Sequence, residues 1–140
     1  MHRHKQDASP TERIVITAER MIRRHGFRKT TIADIASEAL MSPANVYRFF
    51  GSKDEVRQAV ISRMLVRHYQ LAGPLLQLPQ SPSARVRRLL RLSRAMTLRL
   101  FRQEPHLFEL VVLAIRSGWE VLDQHIEIMI GALEATVDEG

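Results

Sequence analysis

The sequence predicts an all-α protein, and three observations carry that prediction. Apolar residues recur at helical spacing, i, i+4, i+7 and i+8, in several stretches. Those stretches begin at Ser/Thr caps, often with Pro just inside, and stop at Gly. No run alternates apolar and polar residues with β-branched enrichment, so no strand is expected.

The elements follow in order. Ser9-Pro10-Thr11-Glu12 reads as N-cap, first-turn proline and a Glu that reaches back to close a capping box. Ile14, Ala18, Met21 and Ile22 form the apolar stripe of this first helix, and Gly26 ends it. Thr31 with Asp34 caps a second helix, whose inner face is Ile32, Ile35, Ala36 and Ala39. Ser42-Pro43 opens a short third helix that closes at Gly51. Ser52 and Glu55 make another capping box and start a long fourth helix along Val56, Ala59, Val60 and Met64, expected to end at Gly73-Pro74. The stretch from Gly73 to Ser83, with Pro74, Pro79 and Pro82, is the one boundary signal. A basic amphipathic helix over about 83–102 follows, then a nearly all-apolar one past Pro105 through Leu107 to Ile115. Beyond Gly118-Trp119 a last helix carries the apolar row Leu122, Ile126, Met129 and Leu133.

Composition narrows the function classes. With 45% hydrophobic and 26% charged residues, the chain is an ordinary globular sequence and not a disordered one. The absence of cysteine excludes disulfide scaffolds, thiolate metal sites and thiol nucleophiles. The opening MHRHKQDASP lacks the apolar core of a signal peptide, and no apolar run is long enough to span a membrane, so a soluble, cytoplasmic protein is expected. The net charge of +6 conceals segregation. Residues 71–102 carry seven arginines and no acid, whereas residues 103–140 carry eight acids and Arg116 alone. A basic front half suggests a polyanion partner; the two later blocks are expected to neutralise one another.

The stretch from Thr30 to Val56 concentrates the functional signals. Two helices joined by Leu40-Met41-Ser42 have the dimensions of a helix-turn-helix, whose second helix enters the major groove. Arg28 and Lys29 precede Thr30 and Thr31 at the start of the second helix, where free N–H groups favour an anion. Lys53 lies in the first turn of the fourth helix. A cation there opposes the helix dipole, which makes sense if a phosphate lies nearby. Tyr47 and Arg48 are long and polar-tipped enough to reach DNA.

At these residues the chain resembles the TetR family of bacterial transcriptional regulators. The matching positions are Thr30, Thr31, Ile35, Ala36, Ala39, Val46, Tyr47, Phe50, Ser52 and Lys53, and the likeness covers residues 11 to about 65. The resemblance implies a helix-turn-helix DNA-binding domain over residues 1–57 and a helical effector and dimerisation region over 58–140. It implies that Thr30, Thr31, Tyr47 and Lys53 hold phosphates. Pro43, Ala44, Asn45 and Arg48 face base edges, Asn45 suited to adenine and Arg48 to guanine. Ser42 and Phe49 complete the candidate DNA-contacting set. Asn45 reads equally as a plain surface amide. Two departures stand out: Leu40 occupies the usual place of a turn glycine, so the turn must avoid a positive φ or accept strain, and Phe49 replaces a frequent His.

The family likeness further implies a repressor that is a homodimer on duplex operator DNA and releases it on binding a small hydrophobic effector, with no membrane partner. Met96, Phe101, Phe108, Trp119 and Met129 are candidates to line that effector's pocket, although ordinary core packing explains each as well. Family members usually continue through two further helices, so the C-terminal region is expected to be truncated at residue 140 and its apolar row partly uncovered. No nucleophile elbow, Gly-rich phosphate loop or metal-ligand spacing appears, so neither enzyme nor cofactor is expected. His2 and His4 make the one close histidine pair. The competing reading is a basic helical module that uses the arginine helix on acidic protein or membrane surfaces.

Overall fold

A computed structural model describes residues 8–138, and these form helices joined by short loops, with no strand among them. The histidine pair His2 and His4 lies outside the described residues. The helices are α1 (Pro10–His25), α2 (Ile32–Glu38), α3 (Pro43–Phe49), α4 (Lys53–Leu76), α5 (Pro82–Gln103), α6 (Pro105–Ser117) and α7 (Glu120–Asp138).

The expected caps are in place, with differences in detail. Thr31 and Asp34 form a full reciprocal box. Ser52 accepts the Glu55 N–H, but the Glu55 carboxylate reaches one residue further back, to the Gly51 N–H. At Ser9 the hydroxyl accepts the Glu12 N–H at 3.2 Å, the forward half of the expected box. The fourth helix does not stop at Gly73-Pro74; α4 continues to Leu76. Gly73 has no Cβ to clash with the following proline ring, and Pro74, which offers no N–H to Gln70 O, comes only two residues before the helix ends.

The α2–α3 turn accepts strain. The Met41 N–H donates to Ala36 O at 3.0 Å and the Leu40 N–H to Ser37 O at 3.2 Å. These two bonds define a Schellman ending, which needs a left-handed residue at its C′ position. That residue is Leu40, at φ 59 and 90% exposed. A side chain in this region costs about 1–2 kcal/mol relative to right-handed backbone.

One apolar cluster joins the front of the molecule to its rear. Ile14, Ala18 and Ile22 of α1 meet Ile35 of α2, Val46 of α3 and Val56 and Val60 of α4, all buried. Leu107, Leu110 and Ala114 of α6 close the same cluster, so α6 shares the core of the helix-turn-helix. A buried carboxylate reinforces the seam. Glu19 of α1 is 5% exposed and ion-paired with Arg23 on its own helix and with Arg63 and Arg67 of α4. Arg23 in turn meets Glu104, at the α5–α6 junction, at 2.7 Å. A buried charge without partners would be costly, so this set fixes α1 against α4 and the α5–α6 corner.

Candidate nucleic-acid interface

Local sequence decides which way α3 faces. Ser42 caps it by accepting the Asn45 N–H at 3.1 Å, and Pro43 fills the first turn, where no donor is needed. Val46 points fully into the core, with Phe50 partly buried beside it. The opposite side is therefore free. Pro43, Ala44, Tyr47 and Arg48 are exposed, as are Ser42 and Phe49, while Asn45 lies half-buried at the edge of the face.

The starts of α2 and α4 lie close enough to interact. The Thr31 side chain and then its backbone N–H hold the Asp34 carboxyl below the usual carboxylate range, and His25 and Lys53 add weaker pulls in the same direction. Burial and the Arg57 guanidinium draw the Lys53 ammonium below the ordinary lysine value, opposed by Asp34 and Asp54. Lys53 thus stands in the first turn of α4 and feels the charge of Asp34 in the first turn of α2, but is in no ion pair within 4.0 Å among the described residues. Free N–H groups and a cation in one place make a ready site for a phosphate oxygen.

Of the sequence-predicted contacts, Thr30 stands apart. It is 2% exposed, and its hydroxyl donates to Gly26 O at 2.8 Å. The expectation that it holds a phosphate is corrected: its one donor closes the α1–α2 turn and leaves Thr31 outward. Sequence reasoning also missed Arg57. Its guanidinium donates to Phe27 O at 3.1 Å, pairs with Asp54 at 2.9 Å and lies 5.0 Å from the Phe27 ring centroid. It clamps the start of α4 onto the α1–α2 turn and so sets where Lys53 stands. Nothing in the spacing of the arginines distinguishes this one.

The predicted effector pocket is not assembled as expected. Phe101 is exposed and meets Phe108 edge to face at 5.1 Å. Trp119 packs against the front cluster, and Met96 and Met129 are half-buried elsewhere. An open groove of about 520 Å³ is instead lined by Val86 of α5 and by Ile130, Leu133, Glu134, Val137 and Asp138 of α7, and contains none of the five. The apolar row of the last helix is partly uncovered. Leu122, Met129 and Leu133 turn partly inward, and the exposed stripe is Ile126, Ile130 and Val137.

The rear helices hold one polar cluster that no motif signalled. His125 Nδ1 lies 2.6 Å from the Tyr69 hydroxyl, His68 Nε2 lies 3.3 Å from Ser93 Oγ, and the two imidazoles are 5.1 Å apart. Burial lowers both histidines below their ordinary value, His125 further through His68, and raises Tyr69. Among the described residues, no group of three or more His, Cys, Asp or Glu side chains is placed to hold a metal ion. No helix among them is long and apolar enough to cross a membrane.

Comparison with known proteins agrees with this geometry. Residues 14–60 match the family model described as bacterial regulatory proteins, tetR family, and residues 82–140 match the tetracyclin repressor-like C-terminal domain. No curated protein sequence matches the chain. Among solved structures, "Crystal structure of apo AibR" aligns with a TM-score of 0.62 at 19% identity, covering 94% of this chain and 70% of that one. At that identity the likeness is one of fold.

Proposed function

The chain belongs to the TetR family of bacterial regulatory proteins and is a DNA-binding transcriptional regulator; from that premise we propose that it is a cytoplasmic, ligand-responsive repressor. The recognition helix is α3, with Pro43, Ala44, Asn45 and Arg48 toward base edges and Ser42 and Phe49 at the rims of the contact. Thr31, Tyr47 and Lys53 take phosphates and set register. Residues 1–57 serve as the DNA-binding head and 58–140 as the regulatory part, with α4 common to both. Two copies act together, since paired recognition helices about 34 Å apart reach successive major grooves. The rear helices answer to a small apolar effector.

The observation that supports this most is the outward side of α3 beside the converging starts of α2 and α4. Tyr47 is 51% exposed, Arg48 is exposed and Lys53 is half-buried, with no core role for the first two. A solvated surface needs neither a tyrosine there nor a cation at a helix start.

Binding-site selection with random duplex tests the reading. Arg48→Ala is expected to relax base preference at one position and cost about 1–3 kcal/mol on the selected site. Lys53→Ala is expected to weaken all duplexes alike and shallow the log–log salt slope by about one unit. Selection that enriches no sequence, or identical behaviour of the two variants, overturns the assignment.

A further inference from the structure

Helix α5 combines dense charge with little burial. Of its 22 residues Leu89 alone is buried. Arg87, Arg91, Arg94, Leu98 and Arg102 recur at i, i+4, i+7, i+11 and i+15, one stripe of a 3.6-residue helix, and all five are exposed. Leu90 and Phe101, each 57% exposed, flank the stripe along one edge.

The described acids of the C-terminal stretch do not neutralise this face. Arg91, Arg94 and Arg102 have no ion pair among the described residues, and Arg87 bonds only a backbone carbonyl of its own helix, that of Ser83. The acids of α7, Glu120, Asp123, Glu127, Glu134 and Asp138, are themselves exposed. A cationic stripe with apolar side chains set into it is therefore presented to solvent.

We infer that this face of α5 docks on an anionic lipid surface. Guanidiniums pair well with phosphate oxygens, and cations near such a surface are drawn to it. Leu90, Leu98 and Phe101 enter the boundary between headgroups and acyl chains, and the arginine stems can lie along the same boundary with their heads in water. A nucleic-acid backbone takes up the arginines but leaves these three apolar side chains in water; a lipid surface takes both. The helix lies on the surface and does not cross it, since seven arginines exclude spanning. Charge and apolar contact together supply the two signals that stable attachment needs.

Co-sedimentation of the 140-residue chain with vesicles tests this. The vesicles are phosphatidylcholine alone, or with about one-third phosphatidylglycerol, at about 0.1 M salt. Binding is expected to the mixed vesicles and not to the neutral ones. R91E/R94E is expected to lower partitioning at least about 25-fold, about fivefold for each cation lost. R91K/R94K, which keeps the charge, restores it, and Leu98→Ala weakens it several-fold. R48A/K53A, on the DNA-binding head, leaves vesicle binding within about twofold, since neither residue is on α5. The inference is overturned if wild-type chain ignores anionic vesicles, or if R91E/R94E still binds them as wild type. It is overturned equally if R91E/R94E leaves vesicle binding intact and lowers affinity for random duplex instead, which assigns the stripe to nucleic acid.

Discussion

The front and rear of this molecule use their helices in opposite ways. In α1 to α3 every helix starts at a side-chain cap, and Ile14, Ala18 and Val46 are wholly withdrawn from water. In the rear, α5 buries only Leu89 and α7 only Thr136, while Ile126, Ile128, Ile130 and Val137 stand exposed. The front withdraws its apolar stripes into one core and turns one face of α3 outward. The rear leaves apolar and cationic faces uncovered, a pattern that marks interaction surfaces rather than a finished core. α6 is the exception that ties the halves together, because its Leu107 and Leu110 complete the front's core.

The largest expected effect separates the two regions directly. Ile35→Ala in α2 removes a side chain 2% exposed and is expected to destabilise by about 2–5 kcal/mol in denaturant unfolding. Ile130→Ala, 49% exposed on α7, is expected to cost no more than about 0.5 kcal/mol. Comparable losses at both positions would break the contrast, because the rear face would then be covered in solution.

A smaller effect is expected at the one strained position in the front. Leu40→Gly relieves the left-handed backbone at φ 59, at the cost of a more flexible unfolded chain. A net gain of about 0.5–1 kcal/mol is expected, read as a higher unfolding midpoint with unchanged slope. A loss of stability in Leu40→Gly would mean that the exposed leucine makes a contact in solution.

The smallest effect is a difference in acid sensitivity. Burial holds His68 and His125 below their ordinary value of 6.5, so folding favours their neutral forms. Stability tied to them is whole above pH 6.5 and is lost as the pH falls through their lowered values. Asp34 is held below its ordinary 3.8 by Thr31, so its contribution persists until the pH falls below that value. Amide protection factors around Tyr69 and Ser93 are therefore expected to fall on acidification before those at the start of α2 do. Simultaneous loosening would show that the two regions do not differ in this respect.

Read from residues alone, the chain already declares its helices, their caps and the helix-turn-helix. Ser42-Pro43, Thr31 with Asp34 and the stripe of Ile14, Ala18 and Ile22 act over no more than a few turns of chain, so local spacing suffices to find them. The same holds for Tyr47 and Arg48, whose outward direction follows once Val46 is placed inward. Tertiary structure alone decided which charges find partners. Arg57 turns to Phe27 O, and Arg63 and Arg67 turn to Glu19, whereas Arg91 and Arg94 have no hydrogen-bond or ion-pair partner among the described residues. It also withdrew the Thr30 hydroxyl into a turn and brought His125 to Tyr69 across 56 residues of sequence. A cap is written in neighbouring letters, but a charge's partner arrives from another helix, and only packing determines which helix that is.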